Sequence, residues 1–533
     1  MRGSMSEFPS IFEVPASQGL TARFFGYRNV SALRGQMSYP DPRMIPDDAV
    51  ASAKNIQTWR EGHRRRMPGS QVVVMPSAAH IGPTGMCWFN DGSYNYITCL
   101  NNVGLMGWNG GSWSTLAVPT VSNTQNLLIQ GSINDSGTQK AAIYISNILY
   151  RTINLAYVKH DGSGSFTTGT SAAIQPTALA WWQDTLWYGA DETISYSPAG
   201  GPTLATPTFV AGSINVDRDI GDYITAFCPA RGLDPFMLVF MKRRIYVLRI
   251  GWDGTGGYIA FGASYLKPIT TEVGCIATRS VATIGPYVFF LAEDGVRAIT
   301  RAEDDALSAV RVPMSQPIQD IFDDLTWSLA YLASAVTFNG KYYLSIPTSG
   351  TKIAVLVYDL NTKSWNVWHN DNLVAPAMMA KTYFSSKAQL FYQMYTNQTE
   401  STINANHLYY YDDDHEYIGS ATAIATEEIS KSITFGMPEN DKTWDEIEVE
   451  YTNLHATNAA TLTVSCRTNG GSWSQIGAIS IAALTTARTR TKYSLSSLSR
   501  GRDIQVKLAE TGQGEAHVLG YVITAWVDPI VGT

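Results

Sequence analysis

Apolar and polar residues alternate along Val336, Phe338, Tyr342, Leu344 and Ile346, and Asn339-Gly340 interrupts the run. A two-residue hairpin needs positive φ at both turn positions, which asparagine and glycine tolerate, so the segment reads as two antiparallel strands. Ile353 to Tyr358 adds another strand, and Asp359 to Ser364 gives a polar turn ahead of Trp365 and Trp368. Short antiparallel strands in so short a stretch, closed by tryptophan, have the form of one propeller blade.

The pattern recurs, less regularly, from residue 76 to 420. MCWFNDGSYNYITCL turns at Asp91-Gly92 and GLMGWNGGSWSTL at Asn109-Gly110. KAAIYISNILYRTI, TALAWWQDTLWYGADETISYS, FMLVFMKRRIYVLRI and YVFFLAEDGVRAIT follow, and LFYQMYT and HLYYYDDD end the series. The spacing is looser than a WD40 array, predicting a degenerate β-propeller of about six or seven blades. Ser315 to Leu325 places Ile318, Ile321, Phe322 and Leu325 at helical spacing behind a serine cap and a proline, predicting a short amphipathic helix between blades.

The two ends differ from this middle. In residues 5–75, Phe8, Phe12, Phe24, Phe25 and Tyr27 are scattered among Pro, Gly and Arg with neither strand nor helix period. That composition predicts an extended arm packing on a neighbour, with a short helix in Pro46 to Trp59 behind its proline and two acids. Residues 1–4, MRGS ahead of a second methionine, read as an expression-vector remnant. Residues 421–533 alternate through at least five segments joined by polar turns, the pattern of a β-sandwich. The hexapeptide NGGSWS occurs at Asn109 to Ser114 and at Asn469 to Ser474, a reused hairpin end. The expected fold is therefore all-β: an N-terminal arm (1–75), an irregular β-propeller (76–420) and a C-terminal β-sandwich (421–533).

Composition narrows the function. A chain of 533 residues exceeds a single core. Charged residues are 16% and aromatics 11%, with 28 Tyr and 14 Trp, a balance suited to strands and permanent interfaces. A net charge of −7 disfavours a broad phosphate-gripping surface. Cys87, Cys99, Cys228, Cys275 and Cys466 form no CxxC pair and are expected as buried free thiols. No apolar run approaches the roughly 18 residues that span a bilayer, and no signal-peptide core opens the chain, so a soluble protein folding in a reducing compartment is expected.

No motif of phosphate-loop, dinucleotide, nucleophile-elbow or zinc-protease type is present. The eight histidines are scattered, and no two stand three or four apart. Asp412, Asp413, Asp414, His415 and Glu416 are the densest acidic cluster, but they lack the glycine and spacing of a calcium loop and read as a solvated turn. Propellers often host glycan hydrolysis through two carboxylates, and those of the sialidase kind carry S-x-D-x-G-x-x-W turns, a register that Ser132 to Lys140 does not fit. Arg64, Arg65 and Arg66 are the candidate contacts with DNA phosphates or an acidic partner, against the plainer reading of a solvated or internally paired turn. Lys242, Arg243 and Arg244 read as a charged hairpin tip.

Four stretches resemble a known family. Asp47 to Val73 carries Ala53, Asn55, Gly62 and Arg66-x-x-Gly69; Glu272 to Thr300 carries a glycine–cysteine turn and a hairpin on DGVR. Ser315 to Leu325 followed by Phe338 to Trp368 pairs a helix with a blade, and Gly501 to Leu508 reads GRDIQVKL. These are similar to the tail tubular, or nozzle, proteins of short-tailed bacteriophages. The resemblance implies a non-enzymatic virion protein without cofactors, made in the host bacterial cytoplasm. It further implies a homohexameric ring below the portal and adaptor, bearing fibres or a tip, through which double-stranded DNA passes on ejection. Two alternatives remain open: a glycan-binding or glycan-cleaving propeller, suggested by Trp181, Trp182 and Trp187, and a monomeric scaffold for protein partners.

Overall fold

The computed structural model describes residues 11–14, 23–29, 36–38, 41–46, 49–58, 64–73, 84–101, 104–119, 126–148, 152–171, 174–205, 208–216, 221–230, 236–252, 258–259, 266–301, 307–309, 312–348, 353–369, 376–384, 387–394, 408–412, 417–418, 422–453, 455, 458–512, 514 and 516–528. Within them the chain is all-β: an irregular β-propeller, an extended N-terminal arm and a C-terminal β-sandwich.

Seven four-stranded antiparallel groups make the propeller, in residues 85–117, 126–171, 178–215, 224–270, 282–309, 334–369 and 376–412, here blades 1 to 7. The first strand of each blade lies innermost and faces the next blade, and Pro376–Phe384 of blade 7 returns to Gly85–Asn90 of blade 1. Blade 7 has only three strands of its own. Its fourth is Gly69–Val73, pairing antiparallel from Leu408↔Val73 to Asp412↔Gly69. The ring is thus clasped by a strand from the arm, which removes an exposed sheet edge.

The Asn339-Gly340 turn forms as expected, with φ of 46° and 73° and Phe338 opposite Lys341. Behind it, Phe289, Phe322, Tyr342, Tyr358 and Trp365 fill the core shared by blades 5 and 6. Trp365 Nε1 donates to the Met314 carbonyl (2.8 Å), tying blade 6 to the inserted helix. That helix runs as a 3₁₀ turn, Gln316–Ile318, then Gln319–Asp323, and buries Ile318, Ile321 and Phe322 as the spacing predicts. The serine cap is not made. Ser315 Oγ instead accepts the Val296 N–H of blade 5 (2.9 Å), where its burial leaves that amide no water.

Two expectations for the arm are corrected. The helix over Pro46 to Trp59 is absent; Val50–Lys54 and Ile56–Thr58 are strands. Val50, Ala53 and Ile56 are all buried, and pairing on both edges outweighs local helical propensity. The arm's described strands also pair within their own chain rather than awaiting a neighbour. Val50–Lys54 meets blade 6 in parallel at Val367 and runs antiparallel to Thr426–Ser430, producing a nine-stranded sheet from the propeller axis to the far edge of the sandwich. Arg23–Asn29 pairs with Tyr521 to Val527 and Ile11–Val14 covers its outer side.

The sandwich closes over one core, with Trp444, Ile447 and Val449 from one sheet against Leu462, Val464 and Val506 from the other. At its end, fully buried Lys442 donates from Nζ to the carbonyls of Met437 (2.8 Å), Asn440 (2.8 Å) and Arg502 (2.6 Å). These bonds satisfy all three ammonium N–H groups.

Candidate functional site

The innermost strands converge on an axial cavity of about 410 Å³. Every blade contributes: Met86, Gln130, Trp181, Phe227, Arg279, Ala335 and Met378 come from, or immediately precede, blades 1 to 7 in order. Its volume lies in the range of small-molecule sites, about 300–1,000 Å³. Among the described residues no Asp, Glu, His or Cys lines it, and Arg279 is the one formally charged residue there.

Arg279 sits on the 3₁₀ turn Thr278–Ser280, which is held from three sides. Ser280 Oγ donates to Ala277 O (2.7 Å) and accepts the Leu291 N–H (3.0 Å), while Tyr342 Oη donates to Ser280 O (2.8 Å). Arg279 Nη2 reaches Leu332 O at 3.5 Å, and burial pulls its guanidinium down to about 10. The polar neighbours in the cavity wall serve as inter-blade clasps. Asn126 Nδ2 donates to Thr84 Oγ1 (3.0 Å), and Gln130 accepts the Asn90 N–H (3.0 Å) and donates to Asn90 O.

The tryptophans separate. Trp182 and Trp187 are buried in blade 3, whereas half-buried Trp181 lines the cavity, stacked on Tyr144 at 6.5 Å. Gly131 lies beneath its ring; a Cβ there would approach to 2.4 Å, so only glycine lets the indole rest on that strand.

The arginine run does not form one basic patch. Arg64–Arg66 is a strand paired with Ile56–Thr58 and bridged to Val518. Arg66 is 5% exposed, which corrects its expected role as a DNA or partner contact. Its Nη1 donates to Gly512 O (3.2 Å), and it borders a cavity of about 20 Å³ with Glu428 and Glu510, both buried. Strand alternation plus the apolar neighbours Ile56 and Val518 explain the inward turn. The side chains of Arg64 and Arg65 lie outside the described residues, as does most of the acidic run from Asp412.

Four of the cysteines are buried and Cys87 is half-buried, all as free thiols. Burial pushes Cys87 and Cys466 up to about 12 and Cys275 to about 11, away from nucleophilic reactivity. Among the described residues no helix is long and apolar enough to cross a membrane, and no cluster of His, Cys, Asp and Glu is placed to hold a metal.

No protein-family model and no curated protein matches the chain. Among solved structures, it is similar to a Bacillus subtilis arabinoxylan arabinofuranohydrolase of glycoside hydrolase family 43, at 10% identity and TM-score 0.23, covering 84% of this chain and 96% of that one. The Trypanosoma rangeli sialidase bound to the inhibitor DANA overlaps at 8% identity and TM-score 0.29, over 86% and 96%. The SapL1 lectin in complex with alpha methyl fucoside overlaps at 11% and 0.29, over 54% and 96%. Overlaps this loose assign no residue a role.

Proposed function

We propose that the protein is a structural component of a bacteriophage tail nozzle, assembling as a homohexamer below the adaptor and carrying fibres or a tip. The observation that carries this reading is the nine-stranded sheet joining propeller, arm and sandwich, because a load-transmitting wall needs its domains fused rather than tethered. The four family-like stretches agree with it. The axial cavity, about 410 Å³, has the size of a small-molecule site, so duplex DNA would pass between copies arranged in a ring. A net charge of −7 suits a wall that conducts a polyanion without gripping it. Among the described residues the cavity wall holds no pair of carboxylates of the kind used in glycan hydrolysis.

Mass photometry of the purified protein, alone and with the adaptor ring, tests the assembly. Six copies of a 58.3 kDa chain give about 350 kDa before adaptor mass is added. A single-chain species under both conditions contradicts the reading.

A second reading rests on Trp181. The residue lines the axial cavity, where an indole could contact a sugar, and this would make the protein a glycan-binding or glycan-cleaving propeller. A polysaccharide screen for binding and for release of reducing ends tests it, and silence in both assays removes it.

A further inference from the structure

We propose that Asn339 is a site of spontaneous covalent modification, deamidating by attack of the Gly340 nitrogen and leaving aspartate or isoaspartate at the tip of the first hairpin of blade 6. This stands apart from the tail reading, since it concerns chemistry within one chain.

The chain has three Asn-Gly pairs, beginning at Asn109, Asn339 and Asn469. All six residues are exposed, so access to water does not separate them. Their carboxamides do. Asn469 Oδ1 accepts the N–H groups of Arg502 (2.8 Å) and Asp503 (3.4 Å), which anchors the side chain to the segment ahead of the Ile504–Gly512 strand. Asn109 Oδ1 accepts the N–H groups of Gly111 (3.0 Å) and Ser112 (2.8 Å) in its own turn. Among the described residues the Asn339 carboxamide makes no hydrogen bond. The space beside Gly340 is open too, with Asn361 Nδ2 standing 3.7 Å from where a Cβ would lie. Outside its own hairpin the tip is tied at Gly340 O, which accepts the Leu360 N–H at 3.3 Å.

The reaction needs only water. The Gly340 nitrogen bonds to Asn339 Cγ, and the carboxamide nitrogen leaves as ammonia, carrying the proton that Gly340 gave up. Water then opens the resulting succinimide. Attack at the side-chain carbonyl gives aspartate, and attack at the main-chain carbonyl gives isoaspartate. Glycine has no Cβ to shield its nitrogen, so the step is limited by how freely the asparagine side chain can swing onto it. At Asn109 and Asn469 two hydrogen bonds must break first, which adds the cost of a local opening. Either product places a negative charge at the tip. Isoaspartate also lengthens the main chain, which the two-residue turn holding Phe338 opposite Lys341 does not accommodate.

Peptide mapping by mass spectrometry of the full chain, aged in warm, mildly alkaline buffer and digested in acid, tests the site. Asn339 is expected to convert about tenfold faster than Asn469, with Asn109 between them. In urea the three rates should converge, because the tethers are then gone. Asn109 and Asn469 share the hexapeptide NGGSWS, so a difference between these two in the folded chain reports structure alone. Conversion at Asn339 no faster than at Asn469 overturns the proposal, as does an order of rates that urea leaves unchanged. The comparison uses the unaltered protein, so no variant has to fold.

Discussion

Propeller and sandwich are built from the same alternation of apolar and polar residues, yet the propeller surrounds an axial cavity whereas the sandwich closes on a filled core. The propeller converges on a cavity walled by apolar and uncharged polar side chains and, among the described residues, one arginine. The sandwich displays its charge outward, where Arg488, Arg490 and Lys492 of one strand face Glu446, Glu448 and Glu450 of the next. A closed ring has an interior that must be filled or used, whereas a sandwich edge must be kept from pairing with stray strands. The Thr485–Ser494 edge strand meets that need with its basic residues.

The comparison predicts a hierarchy of effects. Trp365→Ala, in the core of blades 5 and 6, should be the most damaging, with a loss of about 3–5 kcal/mol in denaturant unfolding. A loss below about 1 kcal/mol would mean that this blade core is not close-packed. Lys442→Met strands three carbonyls at the sandwich end and should lose about 1–3 kcal/mol. Burial holds the Lys442 ammonium down to about 8, against the opposing pull of Asp503 and Asp441. Between that value and the ordinary lysine value of about 10.4, the folded state binds fewer protons than the unfolded chain, so this group makes stability rise with pH. The wild-type curve should show that rise relative to the methionine variant, and parallel curves would remove it.

Acid should separate the two regions next. Asp135 of blade 2 is held below the usual carboxylate range by hydrogen bonds from Lys159 and then Lys140. Its contribution is complete above the unfolded value of about 3.9 and is lost as pH falls through the lower folded value. Asp135→Asn should therefore flatten the acid limb of the stability curve, and an unchanged limb would contradict the assignment. The smallest effect is expected on the sandwich ladder. Glu448→Gln should lower the melting temperature slightly in dilute buffer and not at all in 1 M salt, because the paired arginine and lysine are exposed.

How much the sequence disclosed can be judged at single turns. Asn339-Gly340 predicts its hairpin because both φ values are local properties of those two residues. Asp91-Gly92 marks a turn too, but Asn90 lies opposite Asn95, so the loop holds four residues, and Asp91 Oδ1 accepts the N–H groups of Ser93 and Tyr94. The two NGGSWS segments both end hairpins. Trp113 packs into the joint between blades 1 and 7, whereas Trp473 lies beneath Arg467 at 4.5 Å and Lys507 at 5.0 Å. A turn is encoded nearby; what its tryptophan touches is decided by other strands, for Trp113 those of blade 7, far along the chain, and for Trp473 its neighbours in the sandwich.

The same reason explains the misreadings. Val50–Lys54 looks helical in isolation because its partners, Ser364–His369 and Thr426–Ser430, lie more than three hundred residues downstream. Arg66 looks like surface charge until its strand is paired and the residue turns inward. The axial cavity leaves no motif, since each blade gives it only a few positions and Arg279 is one arginine among many in sequence.

An averaged image of the tail of the native particle tests the central claim most directly. The account predicts a sixfold ring below the adaptor into which six copies of the fused propeller–sandwich body fit, with the DNA path between them. A native tail lacking this chain, or holding it as a single peripheral copy, would contradict it.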